Sequence, residues 1–553
     1  MKQFPLVSLP LLLLFSACAG AAPISTAPTA GRPAPGSTTN ANPLAPPVLK
    51  DLASAPDDWH RMSADKDGVF GVGSDRAIAE LLQGRSPARR VIVAVIDGGV
   101  DTAHTALKGT MWRNAKETNN GKDDDGNGLV DDAFGWNYAG GANGKSVNDE
   151  TLEVTRLYAA CRDMAAGKGT QKPDAATCNS IKTKFDEKRA ELTGQLGQIE
   201  TLTQSLAAVT GILQRGIGSG PLTRPRVEAY RADNPQAAQA REFWLQIEAA
   251  GLVGEGLEDA KKQIGGQVKV GLDLNYDSRT IVGDNILDYS ERVYGNRDVT
   301  GPDASHGTHV AGIIAAARGI GKVEGIAPMV QIMALRAVPN GDERDKDIAN
   351  AIRYAADNGA NIINMSFGKS YSPGKSAVDA AAKYAVSKGV LLVHAAGNDG
   401  EDIDVLPSFP SPIFEDKTRS PSWIEVGASS WKGFDELSAS FSNYGKTRVD
   451  LFAPGVDILS TVPGGGTKRE SSTSMAAPVV SGVAALLMSY FPTLTAADIK
   501  DILVQSARRV SATVAKPGGG GKAPFTSLSQ TGAIVDAYAA VKLAQTRAAV
   551  MKH

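Results

Sequence analysis

The sequence has little net charge and little cysteine. Its 58 basic and 60 acidic residues give a formal charge of -2, and charged side chains make up 21% of the chain. So even a balance argues against a nucleic-acid-binding surface, which requires clustered positive charge. Only three cysteines occur in 553 residues, and an odd number needs an explanation if the protein is exported. The length suffices for one large domain with additions.

The first residues predict export. Lys2 precedes a leucine-rich apolar stretch at 5–15, and small residues follow it, which is the pattern of a secretory signal. The segment Phe15-Ser-Ala-Cys18 resembles the lipobox of bacterial lipoproteins, and this resemblance implies a signal at residues 1–18 with Cys18 as the lipidated residue. The alternative is ordinary signal-peptidase cleavage near Ala19-Gly-Ala21, which would give a secreted protein.

A low-complexity segment follows at residues 19–50. It consists almost entirely of Ala, Pro, Ser, Thr, Gly and Asn, so it cannot bury enough apolar surface to fold, and we expect a disordered tether. Ala19 is not the Asp that often retains Gram-negative lipoproteins in the inner membrane. The expected location is therefore the cell envelope and, if the host has two membranes, the outer one. If Cys161 and Cys178 form a disulfide, Cys18 is the cysteine left over; the alternative is that both are free buried thiols.

A serine stands at the start of a small-residue helix pattern. The Gly-rich loop 464–466 leads into Ser472-Thr-Ser474-Met-Ala-Ala-Pro, and apolar residues at helical spacing follow. Unpaired N–H groups and the helix dipole favour negative charge at such a point. An oxyanion formed beside the Ser474 hydroxyl would be stabilised there. The alternative for Ser474 taken alone is an ordinary N-cap.

Two further motifs extend this hypothesis. The run Val91-Ile-Val-Ala-Val-Ile-Asp97 is typical of a buried parallel strand that ends in an aspartate. The motif His306-Gly-Thr-His-Val-Ala-Gly places a histidine at the start of another helix. Asp, His and Ser then follow one of the known chain orders of a catalytic triad. Together with Ala-Ala-Gly-Asn398, these motifs resemble those of the subtilases, the subtilisin-like serine peptidases, from about residue 91 to 544.

The resemblance implies a serine endopeptidase that hydrolyses peptide bonds in polypeptides through an acyl-enzyme. Ser474 would be the nucleophile, His306 the general base, and Asp97 the carboxylate that orients the imidazole. Asn398 would donate to the oxyanion together with the Ser474 N–H. Ser366-Phe367-Gly368 matches the family segment that pairs as a strand with extended substrate.

Two positions depart from the family pattern, and two other classes of function compete with this one. Ser472 stands where the family usually has glycine, and Val479 where it often has histidine. A zinc site would use His306 and His309, which share a helix face, but a third ligand and the Glu of H-E-x-x-H are missing. A catalytically inactive scaffold of the same fold would lack a triad or oxyanion residue, and all four are present.

An acidic loop after the first strand predicts a calcium site. Alternating oxygen ligands followed by a glycine and a backbone carbonyl are typical of the opening of an EF-hand-like loop. The closing glutamate is missing, and Asp131 or Asp132 would replace it. The alternative is a solvated acidic turn. The candidate Ca²⁺ ligands are Asp123, Asp125, Asn127, the carbonyl of Leu129 and Asp132.

The remaining pattern predicts an α/β fold: a doubly wound, mostly parallel, subtilisin-like sheet with a long helical insertion. We place the peptidase domain at residues 51–150 and 271–545 and the insertion at 151–270. After His306, strands are predicted at Gln331–Val338, Asn361–Ser366, Val390–Ala396, Trp423–Ala428 and Val449–Ala453. Helices are predicted at Asp345–Asp357, Ser376–Ser387, Ser474–Tyr490, Ala496–Ala507 and Gly532–Leu543.

The insertion has its own apolar repeat. Large apolar residues recur every seven positions, which predicts a long amphipathic helix, and a second helical stretch is predicted near 236–263. Both a purely structural arm and a regulatory or substrate-guiding one are compatible with this pattern. The repeat consists of Phe185, Leu192, Ile199, Leu206 and Leu213.

Overall fold

The computed structural model describes residues 50, 52–167, 174–249 and 252–550. The predicted signal with Cys18 and the predicted tether up to residue 49 lie outside the described residues. The strands are β1 (Ile92–Asp97), β2 (Gly135–Asn137), β3 (Gln331–Arg336), β4 (Ile362–Met365), β5 (Leu391–Ala395), β6 (Trp423–Ser429), β7 (Leu451–Pro454), β8 (Ile458–Val462), β9 (Gly466–Glu470), β10 (Arg508–Arg509), β11 (Thr513–Ala515), β12 (Lys522–Pro524) and β13 (Ala533–Ile534).

Helices connect most of these strands. They are α1 (Ala64–Asp67), α2 (Ser74–Leu81), α3 (Glu153–Ala165), α4 (Ala175–Ile217), α5 (Arg224–Ala229), α6 (Pro235–Ala249), α7 (Glu255–Gly266), α8 (Arg279–Val282), α9 (Ser305–Ala315), α10 (Asp345–Asp357), α11 (Lys375–Ser387), α12 (Thr473–Tyr490), α13 (Ala496–Ser506) and α14 (Ala537–Val550).

Nine strands form one sheet in the order β10-β13-β7-β6-β5-β4-β1-β3-β2. All the pairings in this sheet are parallel except the one between β10 and β13. Strand β1 lies between β3 and β4, so both of its edges are hydrogen-bonded. Its continuous apolar sequence suits this position, because a central parallel strand is buried on both faces.

Helices cover both faces of the sheet. Val93 and Val95 of β1 belong to one apolar cluster, which includes α9, α12, α13 and α14. Ala94 and Ile96 belong to a second cluster, formed with α10 and α11 on the other face. The alternation along one strand therefore supplies two separate cores. The predicted doubly wound α/β fold is confirmed.

Helix α12 crosses the first of these cores. It has the length and hydropathy of a membrane span, yet all of it is buried inside the protein, as befits a central core helix. Its small residues permit close packing: a Cβ on Gly482 would lie 2.8 Å from the Cβ of Ile326. Helix α12 also packs directly on strands β4 to β7 of the sheet, which fixes where its first turn, and hence Ser474, lies.

The sequence between β2 and β3 contains the predicted helical arm. All five residues of the seven-residue repeat are buried along α4, which packs against α3, α6 and α7. Cys161 and Cys178 form a disulfide that joins α3 to α4. The second helical stretch, predicted near 236–263, is divided into α6 and α7.

Helix α7 reaches the rim of the sheet domain. Asp259 and Lys468 form an ion pair at 2.7 Å, and Lys262 and Asp303 form another at 3.5 Å. Lys468 lies on β9, six residues before Ser474, and Asp303 lies three residues before the start of the His306 motif. The arm thus contacts both segments that lead into the predicted site.

The structure corrects one predicted helix. The helix expected at Gly532–Leu543 begins only at Ala537, because Ala533 and Ile534 form β13 instead. Both residues are buried, and Ile534 pairs with Phe452 at the edge of the sheet. Sheet pairing of a buried apolar pair outweighs the helical pattern here. The other predicted strands and helices after His306 are confirmed, with ends that differ by at most two residues.

Candidate active site

The carboxyl end of β1 holds the predicted aspartate. Asp97 is the last residue of this central strand and is only 2% exposed. The Nδ1 of His306 lies 2.9 and 3.0 Å from its two carboxylate oxygens. The backbone N–H of Gly98 also donates to Asp97, at 2.7 Å. A buried carboxylate with these donors holds the imidazole with Nε2 directed away from it.

A glycine permits this approach of helix to strand. Gly307 follows His306 in α9, and a Cβ at this position would lie 2.1 Å from the carbonyl oxygen of Gly99. It would also lie 3.0 Å from the Cβ of Asp97. Any other residue at 307 would push α9 away from β1. The glycine of the motif therefore positions the histidine on the aspartate.

Neighbouring carboxylates stabilise the imidazolium form of His306. Burial alone would lower its pKa, but the charge and hydrogen bond of Asp97, together with the smaller effects of Glu470 and Asp303, outweigh burial and raise the pKa to about 9. The His306 side chain nevertheless keeps 42% of its surface exposed. A base of this kind is accessible to a reacting group and titrates in the alkaline range.

Ser474 is the second residue of α12, as His306 is of α9, and these two helices pack against each other. The Ser474 hydroxyl donates to the carbonyl oxygen of Ser366 at 3.1 Å. The Ser366 hydroxyl donates in turn to the Ser474 carbonyl at 2.8 Å. Among the hydrogen bonds of the described residues, His306 is bonded to Asp97 and the Ser474 hydroxyl to the predicted substrate segment. None of them joins Ser474 to His306.

Asn398 lies just past β5 and faces the start of α12. Its Oδ1 accepts from the backbone N–H of Thr473 at 2.8 Å and from the Thr473 hydroxyl at 3.0 Å. Its Nδ2 donates to the Ser472 hydroxyl oxygen at 3.0 Å. The backbone N–H of Ser474 donates to the same oxygen at 2.9 Å. The two groups predicted to bind an oxyanion therefore converge on one point, where Ser472 supplies an oxygen.

The predicted substrate segment continues directly from β4. The carbonyl oxygen of Phe367 accepts from Nε2 of His394 at 2.7 Å, and Nδ1 of His394 is 2.8 Å from a carboxylate oxygen of Glu425. Both His394 and Glu425 are buried. Gly368 follows, close to Ser408. The His394–Glu425 pair fixes the backbone of this segment. In the sequence, the one sign of this pair is that each residue interrupts an otherwise apolar strand.

The acidic loop brings together some of the predicted calcium ligands. Asp125 and Asp132 form a group with Glu117, in which their ligand atoms all lie within 4.8 Å of one another. Asn127 is next to this group, because its Nδ2 donates to Asp132 at 2.9 Å. Glu117 was not predicted. Its Oε2 atom is buried without a hydrogen-bond partner, which is what an oxygen reserved for a cation would show.

Asp123 lies in the turn of this loop, outside the Glu117 group. Its two carboxylate oxygens accept from the backbone N–H groups of Gly126, Asn127 and Gly128. These bonds shape the turn, and Asp123 is not part of the Glu117 group. Leu129 is a buried apolar contact whose N–H donates to Asn127. The loop supplies a carboxylate group that differs from the EF-hand order, because Glu117 joins it from outside the loop.

The zinc alternative gains no support. His306 is directed at Asp97, whereas Nε2 of His309 lies 3.0 Å from the carbonyl oxygens of both Ile458 and Lys468. Nε2 therefore acts as a donor to backbone in a buried site. Among the described residues, the Glu117 group is the one set of side chains found to suit a metal.

Comparison with known proteins agrees with the motifs. The chain is 39% identical over 251 residues to the thermophilic serine proteinase of Bacillus sp. (strain AK1), covering 44% of this chain and 56% of that protein. It is 38% identical over 205 residues to subtilisin NAT of Bacillus subtilis subsp. natto, covering 37% of this chain and 51% of the relative. The chain thus spans about half the length of the curated relatives it matches.

A solved protease structure from Pseudoalteromonas arctica is 29% identical, with a TM-score of 0.38 over 45% of this chain and 78% of that one. The model of the subtilase family matches residues 88–531, which include every triad and oxyanion candidate. The chain therefore belongs to the subtilase family.

Proposed function

We propose that this protein is a serine endopeptidase that cleaves polypeptides through an acyl-enzyme. The observation that carries the proposal is the Asp97–His306 hydrogen bond at the start of α9, a helix that packs against α12. At the start of α12, the Ser474 N–H and Nδ2 of Asn398 both donate to the Ser472 oxygen. Family membership supports serine peptidase chemistry. An inactive scaffold of the same fold is the second candidate, but no observation favours it.

Each residue then has one part in the reaction. The Ser474 oxygen attacks the scissile carbonyl carbon while its proton passes to Nε2 of His306. Asp97 holds the imidazole in place and stabilises the imidazolium that forms. The developing oxyanion accepts from the Ser474 N–H and from Nδ2 of Asn398. His306 then donates the proton to the leaving amine, and water releases the acyl group by the same route.

The substrate would bind as an extended strand along Ser366-Phe367-Gly368. Main-chain pairing of this kind accepts many sequences and therefore suits a polypeptide substrate. The reciprocal Ser366–Ser474 hydrogen bonds couple this segment to the nucleophile. Binding of substrate backbone would thus be aligned with the attacking oxygen.

We expect Ser474→Ala to reduce peptide hydrolysis on the order of 10⁶-fold, because the nucleophile is lost. Asn398→Ala should lower kcat by about 10²–10³-fold with little change in KM, since the oxyanion exists only after attack. Steady-state kinetics on a chromogenic peptide, with circular dichroism to confirm folding, test both. Full activity of folded Ser474→Ala would contradict the triad, and an effect of Asn398→Ala on KM alone would make it a binding residue.

The raised pKa of His306 predicts alkaline activity. The general base must be neutral, and a pKa of about 9 means that the protonated, inactive form prevails at neutral pH. The value of kcat/KM should therefore rise with pH, reach half of its maximum near a pH of about 9, and level off roughly one unit higher.

Glu470→Gln should move this rise to lower pH, because one carboxylate that favours imidazolium is removed. Glu436→Gln is the matched control, since that carboxylate forms its ion pair with Lys432. A rise centred at or below the ordinary histidine value of 6.5 in the wild type would show that the neighbouring carboxylates do not raise the pKa of His306.

We also propose that the acidic loop binds Ca²⁺ through Glu117, Asp125 and Asp132. Burial raises the pKa of Asp132, and the nearby Asp125 carboxylate adds a smaller contribution in the same direction, which is the repulsion expected of two carboxylates without a cation between them. A bound Ca²⁺ would supply the positive charge that offsets this repulsion. The unpartnered Oε2 of Glu117 fits this role.

Calcium should therefore stabilise the fold, by about 2.7 kcal/mol at about a hundred times its Kd. Thermal melting with calcium and with chelator measures the effect. Glu117→Gln should abolish the difference, whereas Asp124→Asn, an exposed carboxylate bonded to Thr118 and Asn120, should retain it. Equal melting temperatures of the wild type in both conditions would contradict calcium binding and support the alternative, a solvated acidic turn.

We propose finally that Cys18 is lipidated and that the enzyme is anchored in the cell envelope. The support is the lipobox-like sequence followed by the tether composition of residues 19–50, since several acyl chains anchor a protein stably. Metabolic labelling with a fatty-acid analogue should label the wild type but not Cys18→Ser. Unlabelled wild-type protein free in the medium would support secretion instead.

A further inference from the structure

We propose that the Ser472 hydroxyl is an internal ligand of the oxyanion site, which the substrate carbonyl must displace in the reaction. The proposal deepens the peptidase function above and rests on it. Ser472 would then restrain the rate of the enzyme, and its removal would increase that rate.

The distances place the Ser472 oxygen where an oxyanion would be bound. The Ser474 N–H donates to it at 2.9 Å and Nδ2 of Asn398 at 3.0 Å. Donors to an oxyanion lie about 2.7–3.1 Å from it. A single oxygen thus accepts from both groups that the mechanism needs for the substrate.

The two donors have supports other than Ser472. The Ser472 hydroxyl also donates to Oδ1 of Asn398, at 3.3 Å, but the N–H and hydroxyl of Thr473 donate to the same oxygen at the shorter distances of 2.8 and 3.0 Å. The Thr473 hydroxyl is itself fixed by the N–H of Gly397 at 3.2 Å. The Ser474 N–H belongs to the first turn of a fully buried helix. Loss of the Ser472 hydroxyl would therefore leave both donors in place but unoccupied.

The backbone at Ser472 also tolerates its replacement. Its φ and ψ are −172° and 158°, an extended conformation open to any residue. Its own N–H donates to the carbonyl of Gly455 at 2.8 Å, which is a main-chain bond. Glycine at an N-cap costs little stability compared with serine. The side chain can therefore be removed without distorting the turn into Ser474.

Because Ser472 and the oxyanion compete for the same donors, these donors stabilise the transition state less than they otherwise would. The Ser474 N–H has one hydrogen, so an oxyanion must take it from Ser472 or share it. An oxyanion is the stronger acceptor because it is charged, and so it prevails, but the hydrogen bond to Ser472 is lost or weakened. From the net value of one neutral hydrogen bond we expect a roughly threefold to tenfold effect on kcat.

Three variants test the proposal. Ser472→Gly and Ser472→Ala remove the hydroxyl, and Ser472→Thr retains it. We expect kcat to rise roughly threefold to tenfold in the first two with KM unchanged. A peptide boronic acid, which forms a tetrahedral adduct with the nucleophile, should bind more tightly by the same factor. Ser472→Thr should resemble the wild type in both measurements.

A matched control separates this role from helix capping. Thr495 caps α13 through its side chain, and Thr495→Ala should lower the melting temperature without changing kcat or boronate binding. If Ser472→Ala behaves in the same way, Ser472 is only an N-cap. A lower kcat would show that the hydroxyl assists the reaction and would also overturn the proposal.

The outcomes also separate this proposal from the proposed function. A wild type that hydrolyses no peptide and reacts with no active-site inhibitor would overturn both. A wild type that is active, with Ser472 variants equal to it, would overturn only the role given to Ser472.

Discussion

The hydrogen bond between Asp97 and His306 is the interaction on which the rest of the site depends. It joins the end of the central strand to the start of α9. It requires that the parallel strand β1 end at Asp97, so that this carboxylate lies buried at the carboxyl end of the sheet. A buried carboxylate without donors would be costly. The imidazole N–H and the N–H of Gly98 remove that cost. The contact is sterically possible because Gly307 has no side chain.

The start of α12 obeys a second constraint, because a helix N-terminus inside a protein must find partners for its N–H groups. Here those partners come from Asn398, which accepts from Thr473, and from Ser472, which accepts from Ser474. The donors that an oxyanion would use are the Ser474 N–H, which donates to Ser472 here, and Nδ2 of Asn398, the residue that accepts from Thr473. The folded helix start and an oxyanion would therefore use the same hydrogen-bond donors, and in this structure the Ser472 oxygen accepts from both of them.

Much of this arrangement follows from the sequence, because its signals are local. The strand ending in Asp97, the glycine after His306 and the small-residue helix after Ser474 each have a pattern that predicts the element and its exposed end. The seven-residue repeat likewise predicts α4. Such patterns concern neighbouring residues, and among the helices and strands predicted after His306 tertiary contacts overrode the pattern at Ala533 and Ile534, which pair in the sheet.

Other features depend on distant contacts that no local pattern contains. Glu117 joins Asp125 and Asp132 only because the loop folds back. Asp123 instead accepts hydrogen bonds from backbone N–H groups of the same turn. The pair His394–Glu425 links adjacent strands that are far apart in the chain. Ser472 is visible in the sequence as a departure from the family, but its hydrogen bonds with Asn398 and Ser474 require the folded structure.

The central claim is that Ser474 is a nucleophile activated by His306 and Asp97, and covalent labelling tests it most directly. The wild type would be treated with a fluorophosphonate at alkaline pH and digested, and the modified residue would be located by mass spectrometry. The account predicts one adduct, on Ser474, which His306→Ala suppresses while the protein stays folded. An adduct on another serine, or none on a folded wild type, would contradict it.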